Sequence, residues 1–152
     1  MRAMRRIAII LLLFPFLLQA QDVRMMRIQK AKGKITLDGK LHEADWQAAD
    51  VARDFQQTFP FDSSLAVTST EVMLTYDDKN LYVAAICYDD VDGKYVIQSL
   101  KRDFSFPVSD AFAIFIDPFD DGANGFSFSV NPLGVQREGT LENGGGFGVT
   151  TA

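Results

Sequence analysis

Residues 70–89, TEVMLTYDDKNLYVAAICYD, constrain the fold more than any other stretch of this 152-residue chain. Thr70 to Tyr76 alternates, with Val72 and Leu74 on one side and Glu71, Met73 and Thr75 on the other. A period of two marks a half-buried strand. Asp77-Asp78-Lys79-Asn80 is a short polar turn, and Leu81 to Tyr88 then runs apolar, as suits a strand covered on both faces. A hairpin with one two-sided strand requires a second layer. The expected fold is therefore all-β, a two-layer antiparallel β-sandwich of jelly-roll or immunoglobulin-like type. No catalytic motif lies on this hairpin.

The first twenty residues are read apart from that fold. Arg2, Arg5 and Arg6 precede an apolar run from Ile7 to Leu18, and Leu18-Gln19-Ala20 offers a cleavage site before Gln21. The run is too short to span a bilayer and has the layout of a secretory signal peptide, so the protein is expected to be exported to the periplasm, outer membrane or extracellular space. Cleavage there leaves 132 residues, the size of one ordinary domain, and moves the formal charge from −5 to −8 because three arginines and no acids are lost. A net acidic chain argues against nucleic acid as a partner. Cys87 is the sole cysteine, which rules out an intrachain disulfide, and its place in the most apolar strand predicts a small buried hydrophobe.

Residues 21–33 read as a flexible lead-in and 34–152 as the domain. Ile35 to Leu37 is a predicted strand ended by Asp38-Gly39, and Leu41 to Ala49 a brief helix whose Trp46 plugs the core. Ala52 to Thr58 and Tyr95 to Leu100 are weaker strand predictions. Lys101 to Asp110 is a loop, Asp110 to Phe119 and Phe126 to Asn131 alternate as strands, and Val135 to Leu141 is a further strand. The Gly-rich end from Asn143 to Ala152 closes no sheet, so the expected sandwich is incomplete at its C-terminus and its missing strands are expected beyond Ala152.

Three stretches, taken in order, resemble one family: ITLDGKLHEADWQAA, TEVMLTYDDKNLYVAAICYD and SDAFAIFIDPFDDGANGFSFSVNPLGVQREG. Together they are similar to the family 9 carbohydrate-binding modules, β-sandwiches attached to xylanases and other polysaccharide-degrading enzymes. The NPLGVQ ending resembles the version found in secreted or outer-membrane bacterial proteins, where the module precedes a large region read as a β-barrel. The resemblance covers about half of the chain after the signal segment. It implies a non-catalytic module that binds a polysaccharide or oligosaccharide, with bound calcium in some members. It also implies two departures, since Pro107 stands where sugar-binding members carry a stacking tryptophan and Ala113 where they often carry an acid.

Sugar recognition needs a flat ring against the C–H face of a pyranose and planar polar groups for its hydroxyls. Arg102, Asp103, Phe104, Phe106 and Gln136 are the residues placed to supply them, the plainer alternative being that the two phenylalanines fill the core. Asp117, Asp120, Asp121 and Asn124 gather oxygen-bearing side chains around Gly122, the pattern of a calcium loop or of a solvated turn; Asp89, Asp90 and Asp92 form a second acidic cluster. His42 is the only histidine, and no serine stands in a nucleophile motif, so nothing marks this chain as catalytic. Three readings follow: a carbohydrate-binding module of an exported protein involved in polysaccharide binding and breakdown; a structural or protein-interaction N-terminal domain of an outer-membrane β-barrel protein; or the accessory part of a glycoside hydrolase acting on O-glycosyl bonds.

Overall fold

The computed structural model describes residues 24–89 and 95–142. The expected signal peptide, Asp90 and Asp92 of the second acidic cluster, and the stretch from Asn143 to Ala152 lie outside the described residues. The described residues are all-β apart from one short helix and a single 3-10 turn. Its elements are β1 (Gln29–Lys30), α1 (Ala44–Ala48), β2 (Val51–Ala52), β3 (Thr70–Tyr76), β4 (Leu81–Cys87), β5 (Phe112–Ile116), β6 (Gly125–Val130) and β7 (Gln136–Leu141). They form two sheets: β1, β3 and β2 lie side by side with β4 also on β3, and β5, β6 and β7 make an antiparallel three-stranded sheet.

The described residues fall into two compact units, 24–52 with 73–82, and 53–72 with the residues after 82. In the first, β1 runs parallel to β3, pairing Gln29 with Thr75 and Lys30 with Tyr76. The predicted loose lead-in therefore ends in a strand, because the Thr75 hydroxyl donates to Gln29 O at 2.9 Å and Ala31 N to Tyr76 O at 2.8 Å. Ile35 is buried at 7% exposure, but Ile35 to Leu37 pairs with no strand, contrary to the sequence reading. Side chains of α1 and its flank hold this segment instead. Asp45 accepts the N–H groups of Lys32 and Gly33 at 2.8 and 3.2 Å, and Glu43 accepts that of Thr36 at 3.0 Å. Trp46, on the inner side of α1, is 5% exposed, as its place among small neighbours predicts.

The hairpin turn is built by Asp77. Its Oδ1 accepts from the N–H groups of Lys79 and Asn80, both at 2.7 Å, and its Oδ2 from the Tyr82 hydroxyl at 2.7 Å. The Lys79 N–H, then the Tyr82 hydroxyl, hold the Asp77 carboxyl down at about 2, while the bond to Asp77 raises the Tyr82 hydroxyl. In the second unit, residues 53–69 replace the long strand expected from Ala52 to Thr58. They fold into an arm closed by a Gln56–Leu65 bridge, with Phe59 and Phe61 exposed near its tip. Tyr95 to Leu100, likewise expected as a strand, contributes one bridge between Ile97 and Ser109.

Candidate functional site

The candidate site is built on β5–β6–β7. Gly125 opens β6 where a Cβ would lie 2.6 Å from Ile116 O, so this hairpin closes only around glycine. The turn from β6 to β7 is shaped by Asn131, which is 3% exposed. Its Oδ1 accepts from Leu133 N and Val135 N at 3.0 Å each, and Gly134 takes a φ of 78° that suits glycine. The Asn-Pro-Leu-Gly sequence is thus a local device that fixes where β7 begins.

Register then sorts the side chains. Phe112 pairs with Val130, Ile114 with Phe128 and Ile116 with Phe126, so six apolar side chains share one face. Ala113 with Ser129 and Phe115 with Ser127 occupy the other. Burial along β6 runs opposite to ordinary expectation: Ser127 and Ser129 are 1% and 7% exposed, while Phe126 and Phe128 are 39% and 45% exposed. The serine face carries Arg137, which holds the Phe104–Phe106 part of the nominated loop, and the phenylalanine face is open.

Three bonds join that loop to the start of β7, and a fourth joins the residues just before each. Asp103 N donates to Gln136 O at 3.1 Å, Arg102 pairs with Glu138, Arg137 Nη1 donates to Phe104 O at 2.7 Å, and Asn131 Nδ2 donates to Ser99 O at 3.5 Å. The Phe106 ring meets Phe104 edge-on at 5.9 Å, and the Arg137 guanidinium lies over it at 5.0 Å. The five nominated residues, Arg102, Asp103, Phe104, Phe106 and Gln136, are therefore neighbours along the loop and the start of β7. Asp103 and Gln136 meet only through their backbones, however, and the Gln136 side chain shares the Val130 face rather than the Arg137 face. Their parts differ from expectation in a second respect: Phe104 is 3% exposed and belongs to the core, so its ring offers no ligand platform. Arg137 went unnominated although it follows Gln136 directly. The signal for it was alternation along β7, which puts Arg137 on the serine face beneath the loop.

The phenylalanine face borders a cavity of about 460 Å³ whose lining includes Phe112, Ile114, Phe128, Val83, Ala85 and Cys87. This corrects two expectations. β4 is not covered on both faces, since Ala85 and Cys87 are exposed, and the Cys87 thiol is not buried. Both face space rather than a packed layer.

In the Asp117–Asn124 turn the acidic side chains bond to backbone. Asp117 accepts from Phe119 N at 3.0 Å and Gly122 N at 2.8 Å; Asp121 accepts from Ala123 N and Asn124 N at 2.8 Å each and from Asn124 Nδ2 at 2.9 Å. The Asn124 amide, first, and these N–H groups hold the Asp121 carboxyl below its ordinary value. Among the described residues no three His, Cys, Asp or Glu side chains converge as a metal cage. His42 is exposed and sits before α1. Also among the described residues, no helix is long and apolar enough to cross a membrane. Comparison with protein-family models, with characterised proteins and with solved structures returns no match.

Proposed function

We propose that this chain is a non-catalytic carbohydrate-binding module, a two-layer β-sandwich of an exported protein that acts in polysaccharide binding and breakdown. The observation that carries the reading is the Arg137 guanidinium lying over the half-buried Phe106 ring, on a loop whose Arg102 and Asp103 are tied to the first residues of β7. A half-buried ring offers a face to the C–H side of a pyranose, and guanidinium groups beside it can reach hydroxyls in pairs. The sandwich is supported by β4 and β5–β6, which present apolar side chains to the same cavity. Calcium at Asp117, Asp120, Asp121 and Asn124 belongs to this proposal as an accessory ion, competing with the backbone bonds made there.

Calorimetry with oligosaccharides tests the reading. We expect the Phe106→Ala variant to keep its fold and lose at least about tenfold in affinity, the equivalent of one contact of roughly 1.4 kcal/mol. Unchanged binding would remove Phe106 from the site. Absence of binding to every oligosaccharide would leave the second reading, a structural or protein-interaction domain of an outer-membrane β-barrel protein. One observation favours that alternative, the open face of Phe126, Phe128 and Val130, each at least 39% exposed, which a further polypeptide layer would cover.

A further inference from the structure

Positive charge is segregated in this chain. Residues 24–34 hold five cations, Arg24, Arg27, Lys30, Lys32 and Lys34, and no acid, whereas residues 35–152 hold seven cations against nineteen acids. The net acidity of the chain therefore belongs to everything after its lead-in. All five cations are exposed, and Lys30, Lys32 and Lys34 line one hollow of about 520 Å³. The stretch is fixed to the first unit along its length. Asp50 accepts Arg27 N at 3.0 Å, Gln29 and Lys30 pair with β3, and Asp45 accepts the N–H groups of Lys32 and Gly33.

Nearby acids reduce the charge without cancelling it. Asp78 pairs with Lys30, while Glu43, Asp45 and Asp50 face backbone N–H groups. No ion pair among the described residues includes Arg27, Lys32 or Lys34. The positive surplus is small, so charge alone would hold a partner weakly. Apolar side chains stand among the cations: Met25 and Leu37 are almost wholly exposed, and Ile28 is exposed too.

A basic stretch attracts any polyanion, and its neighbours decide which one. Glycans and single-stranded nucleic acids are met by ring faces and planar amides. Residues 24–37 contain no aromatic side chain and one amide, Gln29. Methionine, isoleucine and leucine interleaved with lysine and arginine suit the boundary of a bilayer instead. There the apolar groups enter the acyl region and the cations meet lipid phosphate. We propose that residues 24–37 form a docking patch for an anionic lipid surface. The inference goes beyond the carbohydrate reading and does not depend on it.

Co-sedimentation of the exported chain with vesicles tests the patch, comparing phosphatidylcholine alone with phosphatidylcholine containing phosphatidylglycerol. Binding should require phosphatidylglycerol and weaken as salt is raised. Replacing Arg27, Lys32 and Lys34 together by glutamine should weaken it on the order of a hundredfold, at about fivefold for each cation near a lipid surface. Met25→Ser with Ile28→Ser should weaken binding and leave its salt dependence in place. Equal binding to both vesicles, no binding to either, or binding that the triple substitution leaves unchanged overturns the proposal. Capture by an oligogalacturonate in preference to vesicles also overturns it and assigns the stretch to an acidic glycan. Where the triple variant fails to fold, Lys34→Gln alone is decisive, since undiminished binding overturns the patch.

Discussion

Replacing Trp46 by alanine tests the core of the first unit most directly. Its helix has five residues, far too few to persist unaided, so the indole anchors α1 rather than the reverse. Trp46 is 5% exposed, and Ile35 and Met73 are its buried apolar companions in that unit at 7% and 6%. A tryptophan withdraws about 200 Å² from water, worth about 5 kcal/mol at about 25 cal/mol per Å². The denatured chain already hides part of that area, which lowers the figure to about 3–4 kcal/mol. The cavity left behind raises it again, giving an expected loss of about 3–5 kcal/mol. Against an ordinary total stability of about 5–15 kcal/mol, that is a large fraction. Urea unfolding followed by far-ultraviolet circular dichroism gives the difference in stability. Trp46 is the sole tryptophan, so its fluorescence in the unaltered protein reports the same burial independently. A loss under about 1 kcal/mol, or the emission of a water-exposed indole, would refute the reasoning. A stable variant that no longer binds sugar would make Trp46 a ligand contact instead.

Three further outcomes follow from the geometry. Tm should be higher in millimolar calcium than in chelator, by mass action of the accessory ion; coincident melting curves would leave Asp117, Asp120, Asp121 and Asn124 as a turn held by its backbone bonds alone. The Asp77 carboxyl sits at about 2 instead of 3.8, so its stabilising effect is complete above the ordinary carboxylate value and is lost as pH falls through about 2. A carboxyl-carbon NMR titration of Asp77 with a midpoint near the ordinary value would contradict the turn described here, and Asp77→Asn should flatten the acid limb of the stability curve. The exposed Cys87 should react with a thiol reagent in the folded protein about as fast as in urea, whereas strong native-state protection would show that its cavity is filled.

The residues whose neighbours are close in sequence were legible in advance. The β3–β4 hairpin, the helix around Trp46 and the alternating strands at Phe112, Phe126 and Gln136 stand where local pattern places them. Other features depended on partners far along the chain. Gln29 and Lys30 become a strand because β3 offers a free edge some 46 residues later, as the Thr75–Gln29 bond shows, and no local pattern marks that pairing. Ile35 to Leu37 has strand composition but no neighbour to pair with, and β4 has an apolar run without a layer on each side. At the candidate site, aromatic and polar types pointed to the right loop, yet composition could not distinguish a core ring at Phe104 from a half-buried one at Phe106. Arg137 was missed because its role arises from the strand face it occupies, which brings it under Phe104 O, 33 residues earlier in the chain, and the Phe106 ring.

The inverted strand β6 has a consequence for handling the protein. Oily side chains that ought to be hidden stand at 39–45% exposure on three alternate positions of one strand, beside apolar partners from β5. A continuous surface of that kind is adhesive. In concentrated solution, molecules will meet through it before they meet through any charged region, and the excess of acids elsewhere supplies the only general repulsion. Colloidal stability should therefore fall with added salt, and turbidity should appear at a protein concentration that mild detergent raises.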